Sequence, residues 1–401
     1  MNRKLYLTLG AMFVFSIAAH TMVPILVPLA AGNMGAPKAL IGLVIAAPAL
    51  ISLLTGLPCA VLSDRVGRRS MLIICGLLNV AGAAILATSS NVVGLALGSM
   101  LNGLGNSFWW SPVLAYMTEA STPANHAQVQ GYNGGVQGLG ALLGALVAGA
   151  VTDWAGFPAA FALVGALSVL LVVLVVQLEE SHKPKAVPTL RDAVFGGYSR
   201  AIRLLARRSE LRLASLIVLT YAVVTLTLGN SFLPLYMTTE LGFSRTLAGS
   251  MISTRDLLGM VASALFGLAV ARLGFFRLVL MGQALGALSL FAVPFSTRVP
   301  VTFLVLASQG IGLGNTPATS NTLVAAGTSL EDRALGFASM GLVSRTCLLI
   351  LPPLFGALAD AAGMRTVFIV GGLMVAANAT ILAAMVRKHG AALQIEKLLR
   401  R

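Results

Sequence analysis

The sequence predicts an all-α membrane protein: twelve transmembrane helices forming two pseudo-symmetric six-helix bundles. Three observations carry this prediction. Hydrophobic residues make up 57% of the chain and charged residues 10%, a balance that one water-soluble core of 401 residues could not bury. The apolar residues fall in segments long enough to cross a hydrocarbon core, for which about 20 residues are needed. The second half also repeats the first at an offset of 207 positions: Gly35 returns as Gly242, Arg65-Val-Gly67 as Arg272-Leu-Gly274, and Gly103-Leu-Gly105 as Gly310-Ile-Gly312. The longest agreement is Gly149-Ala-Val-Thr-Asp153-Trp-Ala-Gly156 with Gly356-Ala-Leu-Ala-Asp360-Ala-Ala-Gly363, followed by Phe161 and Phe368.

In chain order the spans read at 5–29, 39–62, 71–88, 92–116, 128–151 and 158–178, then 213–237, 246–270, 278–296, 299–325, 334–358 and 366–386. Residues 1–178 form the N-terminal bundle, 179–212 a polar cytoplasmic linker, and 213–401 the C-terminal bundle with a short tail. Charge tests the count, because cytoplasmic segments retain Lys and Arg. With the N-terminus inside, 21 of the 27 basic residues fall in cytoplasmic segments, and the outer loops hold only Lys38, Arg245, Arg298 and Arg365. Arg255 and Arg345 lie inside predicted spans. Both termini are therefore expected in the cytoplasm, with the chain a multi-pass protein of the cytoplasmic (inner) membrane. Two parallel six-helix repeats make a hinge with a slot between them, the geometry that alternating access requires.

A net charge of +14 invites a nucleic-acid reading. The basic residues sit at membrane edges instead of forming one stripe, so no nucleic acid is expected and anionic lipid headgroups are the partner. Within the linker, Ala201-Ile-Arg-Leu-Leu-Ala-Arg-Arg alternates apolar and basic residues at helical spacing, as a helix on the membrane surface would. The tail, Gln394 to Arg401, shows the same character more weakly. The first span follows Asn2, Arg3 and Lys4, is too long for a signal h-region and lacks a cleavage site, so it is expected to stay as an anchor. Cys59, Cys75 and Cys347 have no metal-ligand spacing and read as small buried hydrophobes. The glycines three or four apart in span 5, from Gly131 to Gly149, let helix backbones approach where lipid supplies no drive to pack.

Between spans 2 and 3 stands Ala60-Val-Leu-Ser-Asp64-Arg65-Val-Gly67-Arg68-Arg69. It resembles the signature loop of the major facilitator superfamily, G-x-L-x-D-R-x-G-R-R, and the resemblance extends through the twelve spans, the central linker and the repeat. It implies that Asp64, Arg65, Gly67, Arg68 and Arg69 form a conformational latch that meets the start of span 11, near Ser329, Glu331, Asp332 and Arg333. Two positions depart from the pattern: Ala60 replaces the first glycine, and the second-half copy has Ala271 where the acid stood. Other motifs are degraded. Proton-coupled drug exporters of this family carry an Arg in span 4 three residues before a Gln-Gly pair, where this chain has Ser99 before Asn102-Gly103. The antiporter signature of span 5 ends in Gly-Pro, and here reads Gly144-Ala145, while span 11 carries Pro352-Pro353.

One acidic residue lies deep in a span: Asp256 in span 8, next to Arg255. Ten residues beyond Thr246, at about 1.5 Å each, place the pair roughly 15 Å down, near the bilayer centre. Arg345 in span 11 reaches a similar depth from the other side. Each charge costs on the order of 2.5–3.5 kcal/mol on insertion scales, so the three should face a cavity or one another. Asp256 pairing with Arg345 is one arrangement. In the other, an unneutralised arginine receives a carboxylate or phosphate of the cargo and Asp256 couples movement to protons. His20, in the middle of span 1, is a second proton-coupling candidate. Span 4 presents Ser99, Asn102, Asn106 and Trp109 at helical spacing with Trp110 beside them, a wall for an amphipathic ligand. The resemblance puts spans 1, 4, 7 and 10 around the cavity, which adds Tyr221, Thr225, Asn230, Gln309 and Asn315, with Gln137 of span 5 a weaker candidate.

No metal spacing, nucleophile elbow, phosphate-binding loop or paired carboxylates appear, so no enzyme activity is expected. A channel would want a continuous polar pore. The first reading is a secondary active transporter working by alternating access, a monomer that exports small amphipathic molecules or drugs by proton-coupled antiport. It needs no cofactor, since the absence of an ATP motif leaves an ion gradient, of protons, as the energy source. The alternative is a porter for an organic anion or sugar-type solute, and the third reading a membrane receptor that does not transport.

Overall fold

The computed structural model describes residues 3–120, 126–180, 190–329 and 332–389. Glu331 and the tail from Gln394 lie outside the described residues, as do the side chains of Asp64, Arg65 and Arg333. The described residues are almost wholly helical. Span 1 is Arg3–Asn33, span 2 Lys38–Val66, span 3 Arg68–Thr88 and span 4 Val92–Ala120. Spans 5 and 6 share the helical stretch His126–Val176, which breaks at Gly156, where φ is 81° and ψ 176°. After the linker helix Leu190–Arg207 come span 7, Ser209–Thr239, and span 8, Arg245–Ala264 joined to Phe266–Leu273. Span 9 is Phe275–Phe295, span 10 Val299–Leu313 plus Thr316–Gly327, span 11 Arg333–Ala362 and span 12 Met364–His389.

Three features depart from straight spans. Span 8 bends by 63° between Ala264 and Phe266. Span 10 breaks at Gly314-Asn315, just before Thr316-Pro317, because proline cannot donate back along the helix and disfavours a helical residue before it. Spans 1 and 7 each carry a π-helical segment, Ser16–Met22 and Ala222–Phe232. The wider turn changes which side chains face inward, and these are the stretches that hold His20 and Asn230.

The repeat is visible in the backbone. Among the described residues every positive-φ position is a glycine: Gly35, Gly67 and Gly156, then Gly242, Gly274 and Gly363. They form three pairs at the repeat offset. Each supplies a turn conformation that residues bearing a Cβ avoid, which is why these glycines persist while their surroundings differ.

The bundles meet along two seams, span 2 with span 11 and span 5 with span 8. At the face opposite the start of span 1, here called the far face, the seams are tight: a Cβ on Gly42 would stand 2.2 Å from the Pro352 carbonyl oxygen, and one on Gly149 would stand 2.2 Å from that of Arg245. Halfway along, Ser253 of span 8 donates to the Leu142 carbonyl of span 5 at 2.6 Å, and Gly138 packs on Met260. Toward the face where span 1 begins, the basic face, the seam parts. Gly131, Gly134 and Gly135 of span 5, Gly267 of span 8 and Gly341 of span 11 have open space where a Cβ would stand. The molecule is a wedge, closed at the far face and open at the basic face.

The linker helix departs from the expected free surface position. Ala201 is buried, and Leu204 and Leu205 pack against the apolar cluster of the C-terminal bundle. Tyr198 donates to the Leu53 carbonyl of span 2. Arg200, Arg203 and Arg207 remain exposed, so the amphipathic pattern is used to dock one face and hydrate the other. Around the bundles Leu43, Leu54, Leu288, Leu304 and Leu354 are exposed, a surface suited to lipid chains.

Candidate functional site

Between the bundles lies a cavity of about 290 Å³. Its wall is mostly apolar, from Val23, Val27, Val44, Ile45, Pro48, Leu226 and Leu348, with polar positions at His20, Ser52, Ser99, Asn102, Asn106, Asn230, Ser231, Ser344 and Arg345. Trp110 forms the aromatic part of the wall, and the His20 ring stands edge-on to it at 5.3 Å and 77°. His20 is exposed to this space although it lies in the middle of span 1.

The polar side chains are organised. Asn102 donates to Asn79 at 2.8 Å and to the Ala19 carbonyl at 3.3 Å, and Asn106 donates to Asn102 at 3.2 Å. Asn79 is itself anchored to the Cys75 carbonyl at 2.9 Å. The chain of amides runs from the interior of the N-terminal bundle to the cavity and ends on Asn106 Oδ1, which has no protein partner. Asn106 lines the cavity, and this oxygen is a buried acceptor left without a partner in this amide orientation.

In the C-terminal bundle, Arg255 is 2% exposed. Its Nε donates to Asp256 Oδ1 at 2.9 Å, and one Nη lies 2.7 Å from the same oxygen. That nitrogen also donates to Asn230 Oδ1 at 2.7 Å, while the other Nη has no protein partner. Asp256 therefore pairs with its own chain neighbour, and the sequence-level alternative of an Asp256–Arg345 bridge is not the arrangement seen. Arg345 lines the cavity and makes no ion pair among the described residues. Its guanidinium lies against Gly56, where a Cβ would come within 2.2 Å of it. Tyr221 and His20 lie within electrostatic reach of Asp256.

Several expected wall residues lie elsewhere. Trp109 is fully buried, stacked on Phe15 at 4.3 Å and 15°, and faces away from the cavity. Successive helix positions point about 100° apart, so Trp109 and Trp110 cannot share a face. Gln309 is buried between spans 9 and 10, donating to Ser289 at 3.4 Å, and Asn315 sits buried at the span 10 break. Asn315 stands at the break itself, whereas Gln309 lies within the unbroken stretch Val299–Leu313 and faces span 9. Thr225 and Gln137 are half-buried and outside the cavity wall. Asn79, Ser52, Ser231 and Ser344 were not anticipated. A buried amide in an apolar span such as Asn79 carried a signal, but no partner could be named from spacing.

The turn at Gly67 to Arg69 meets the end of span 6. Glu180, after span 6, accepts from the backbone amides of Arg68 at 2.8 Å and Arg69 at 3.2 Å, and Arg69 donates to the Val176 carbonyl at 2.6 Å. Gly67 allows this turn with φ at 99°.

A profile described as Major Facilitator Superfamily matches residues 8–237 and 215–397. The inner membrane transport protein YajR of Escherichia coli (strain K12) is 24% identical over 195 residues, a match covering 48% of this chain and 42% of that protein, so less than half of the relative's length is spanned. A bacterial homolog of the human lysosomal transporter Spinster, in its inward-facing and unoccupied conformation, superposes with a TM-score of 0.80 at 15% identity over 99% of both chains. A POT family transporter in complex with 5-aminolevulinic acid gives 0.78 at 14% identity, covering 98% of this chain and 96% of that one. At these identities the superpositions speak for the fold alone. With both halves matched by the profile, the chain belongs to the Major Facilitator Superfamily.

Proposed function

We propose that the chain is a proton-coupled secondary transporter whose cargo is a small amphipathic organic anion. The observation that carries this reading is Arg345: a guanidinium on the wall of a largely apolar cavity, with no carboxylate opposite it among the described residues. A guanidinium in such surroundings favours a ligand that brings a carboxylate or phosphate, bound by paired charge-assisted hydrogen bonds. The prolines, valines and Trp110 accommodate an apolar body. Asn106 Oδ1 takes a donor group.

Proton coupling rests on Asp256 and His20, the titratable pair beside the cavity. Protonating Asp256 releases Arg255 from its partner and raises the positive charge near the slot, which favours an anion. Conversely, a bound anion favours the protonated carboxyl. Proton and anion therefore reinforce each other and move in the same direction. Basic-face orientation toward the cytoplasm, cytoplasmic termini and location in the inner membrane are parts of the same reading. Export of amphipathic drugs is the second reading, supported by the apolar wall and Trp110.

The test is a ligand-panel thermal shift on the purified protein and on Arg345→Ala. Charge-assisted hydrogen bonds contribute about 1.5–3 kcal/mol, so Arg345→Ala should weaken amphipathic carboxylates by roughly 10- to 100-fold. Neutral amphiphiles of the same size should be little affected. Preference of the parent protein for cationic or neutral ligands, unchanged in Arg345→Ala, would reject the anion reading.

A further inference from the structure

The stretch in which the two halves agree best lies far from the cavity. Gly149-Ala-Val-Thr-Asp153 ends span 5, and Gly356-Ala-Leu-Ala-Asp360 ends span 11. Asp153 accepts from the backbone amide of Thr246 at 2.7 Å, from the Thr246 hydroxyl at 2.7 Å and from the Arg245 amide at 3.3 Å. Asp360 accepts from the amides of Lys38 at 2.9 Å and Ala39 at 2.8 Å. Arg245 and Lys38 are the first residues of spans 8 and 2, so each carboxylate sits on the opening turn of a helix from the opposite bundle.

The chemistry is that of helix capping carried out across an interface. The first amides of a helix have no partner inside it and concentrate positive charge, and a carboxylate satisfies both needs. The glycine one turn before each aspartate makes the approach possible. A Cβ on Gly149 would stand 2.2 Å from the Arg245 carbonyl oxygen, and one on Gly356 would stand 2.2 Å from that of Lys38. Gly-x-x-x-Asp is thus a unit: the glycine admits the start of the neighbouring helix, and the aspartate holds it. Span 2 has no side-chain cap of its own, since Pro37 precedes it. Span 8 caps only its third amide from within, Leu247 to Ser244 at 3.1 Å. Arg245 adds a bond to Asn33 at 3.1 Å and lies 4.8 Å over the Phe157 ring, both in the N-terminal bundle.

We infer that Asp153 and Asp360 are paired inter-bundle clasps that hold the far face shut and must both let go each time the cavity opens to that side. They set the ratio of far-closed to far-open protein. The inference rests on alternating access and is independent of what the cargo is.

The test is pulsed electron resonance on the full chain in nanodiscs. Spin labels at Ser90→Cys and Thr297→Cys read the far face, and labels at Tyr132→Cys and Phe337→Cys read the basic face; all four positions are exposed. Loss of an N-cap to alanine shifts an equilibrium about fivefold, so D153A and D360A should each raise the far-open to far-closed ratio about fivefold, and the double variant about 25-fold. G149A/G356A should shift it the same way, although alanine is the better helix former. Release of the clasps widens the far-face distances while the basic-face distances narrow; unfolding would broaden both. Far-face ratios equal to those of the parent in D153A and in D360A overturn the inference, whether or not the double variant folds. Unchanged ligand affinity in a shifted variant leaves the clasp standing and bears only on the cargo.

Discussion

A guanidinium as buried as Arg255 depends on its carboxylate. Asp256→Ala leaves that charge uncompensated and should cost about 3–5 kcal/mol, whereas Asp256→Asn keeps an acceptor for Arg255 and should cost less. Thermal or denaturant unfolding orders the two variants. A second residue-scale outcome concerns Asn79, which accepts from Asn102 at 2.8 Å. Asn79→Ala orphans a buried amide at a cost of about 1–3 kcal/mol, and it should also weaken ligands that donate to Asn106. An unchanged melting temperature would mean that the amide chain carries no load. Arg255, Asp256 and Arg345 could be picked out of the sequence because an isolated charge in an apolar span is expensive and conspicuous. Their pairing could not: Arg255 meets Asp256 by curling along its own helix, which no spacing rule distinguishes from reaching across to span 11.

At the scale of the element, helical phase decides the site. Trp110 faces the cavity and Trp109 the core, and the chain has three tryptophans in all. A ligand entering the slot should therefore change the emission of Trp110. W110F should abolish that change while W109F preserves it, at the cost of a looser core around Phe15; a signal surviving W110F would move the ligand elsewhere. Close approach of backbones has a similar clarity. A Cβ on Gly310 would stand 2.1 Å from the Arg255 carbonyl oxygen, so Gly310→Ala should push span 10 from span 8 and cost about 1–3 kcal/mol of stability. The twelve spans and their order were legible because apolar length and charge placement are one-dimensional signals. The π segments in spans 1 and 7, the bend in span 8 and the facing of Gln309 and Asn315 were not, because apolar length and charge placement do not fix helical phase or mark where a span breaks.

For the whole molecule, the repeat is a statement about motion. What the halves have kept in common is chiefly the turn glycines and the Gly-x-x-x-Asp units at the far face, while the cavity walls have diverged. One half supplies His20, the amide chain and Trp110; the other supplies Arg255, Asp256 and Arg345. A symmetric hinge around an asymmetric slot allows rocking to expose the same charges to either side, and the wedge seen here opens at the basic face. The most direct test is accumulation of a labelled amphipathic carboxylate in proteoliposomes with an imposed pH gradient. The account predicts that the anion accumulates on the side toward which protons flow, beyond its own equilibrium. It further predicts that Asp256→Asn retains binding but loses gradient-driven accumulation. Binding without any flux would mark a receptor, and accumulation against the proton flow, or undiminished in Asp256→Asn, would contradict the coupling described.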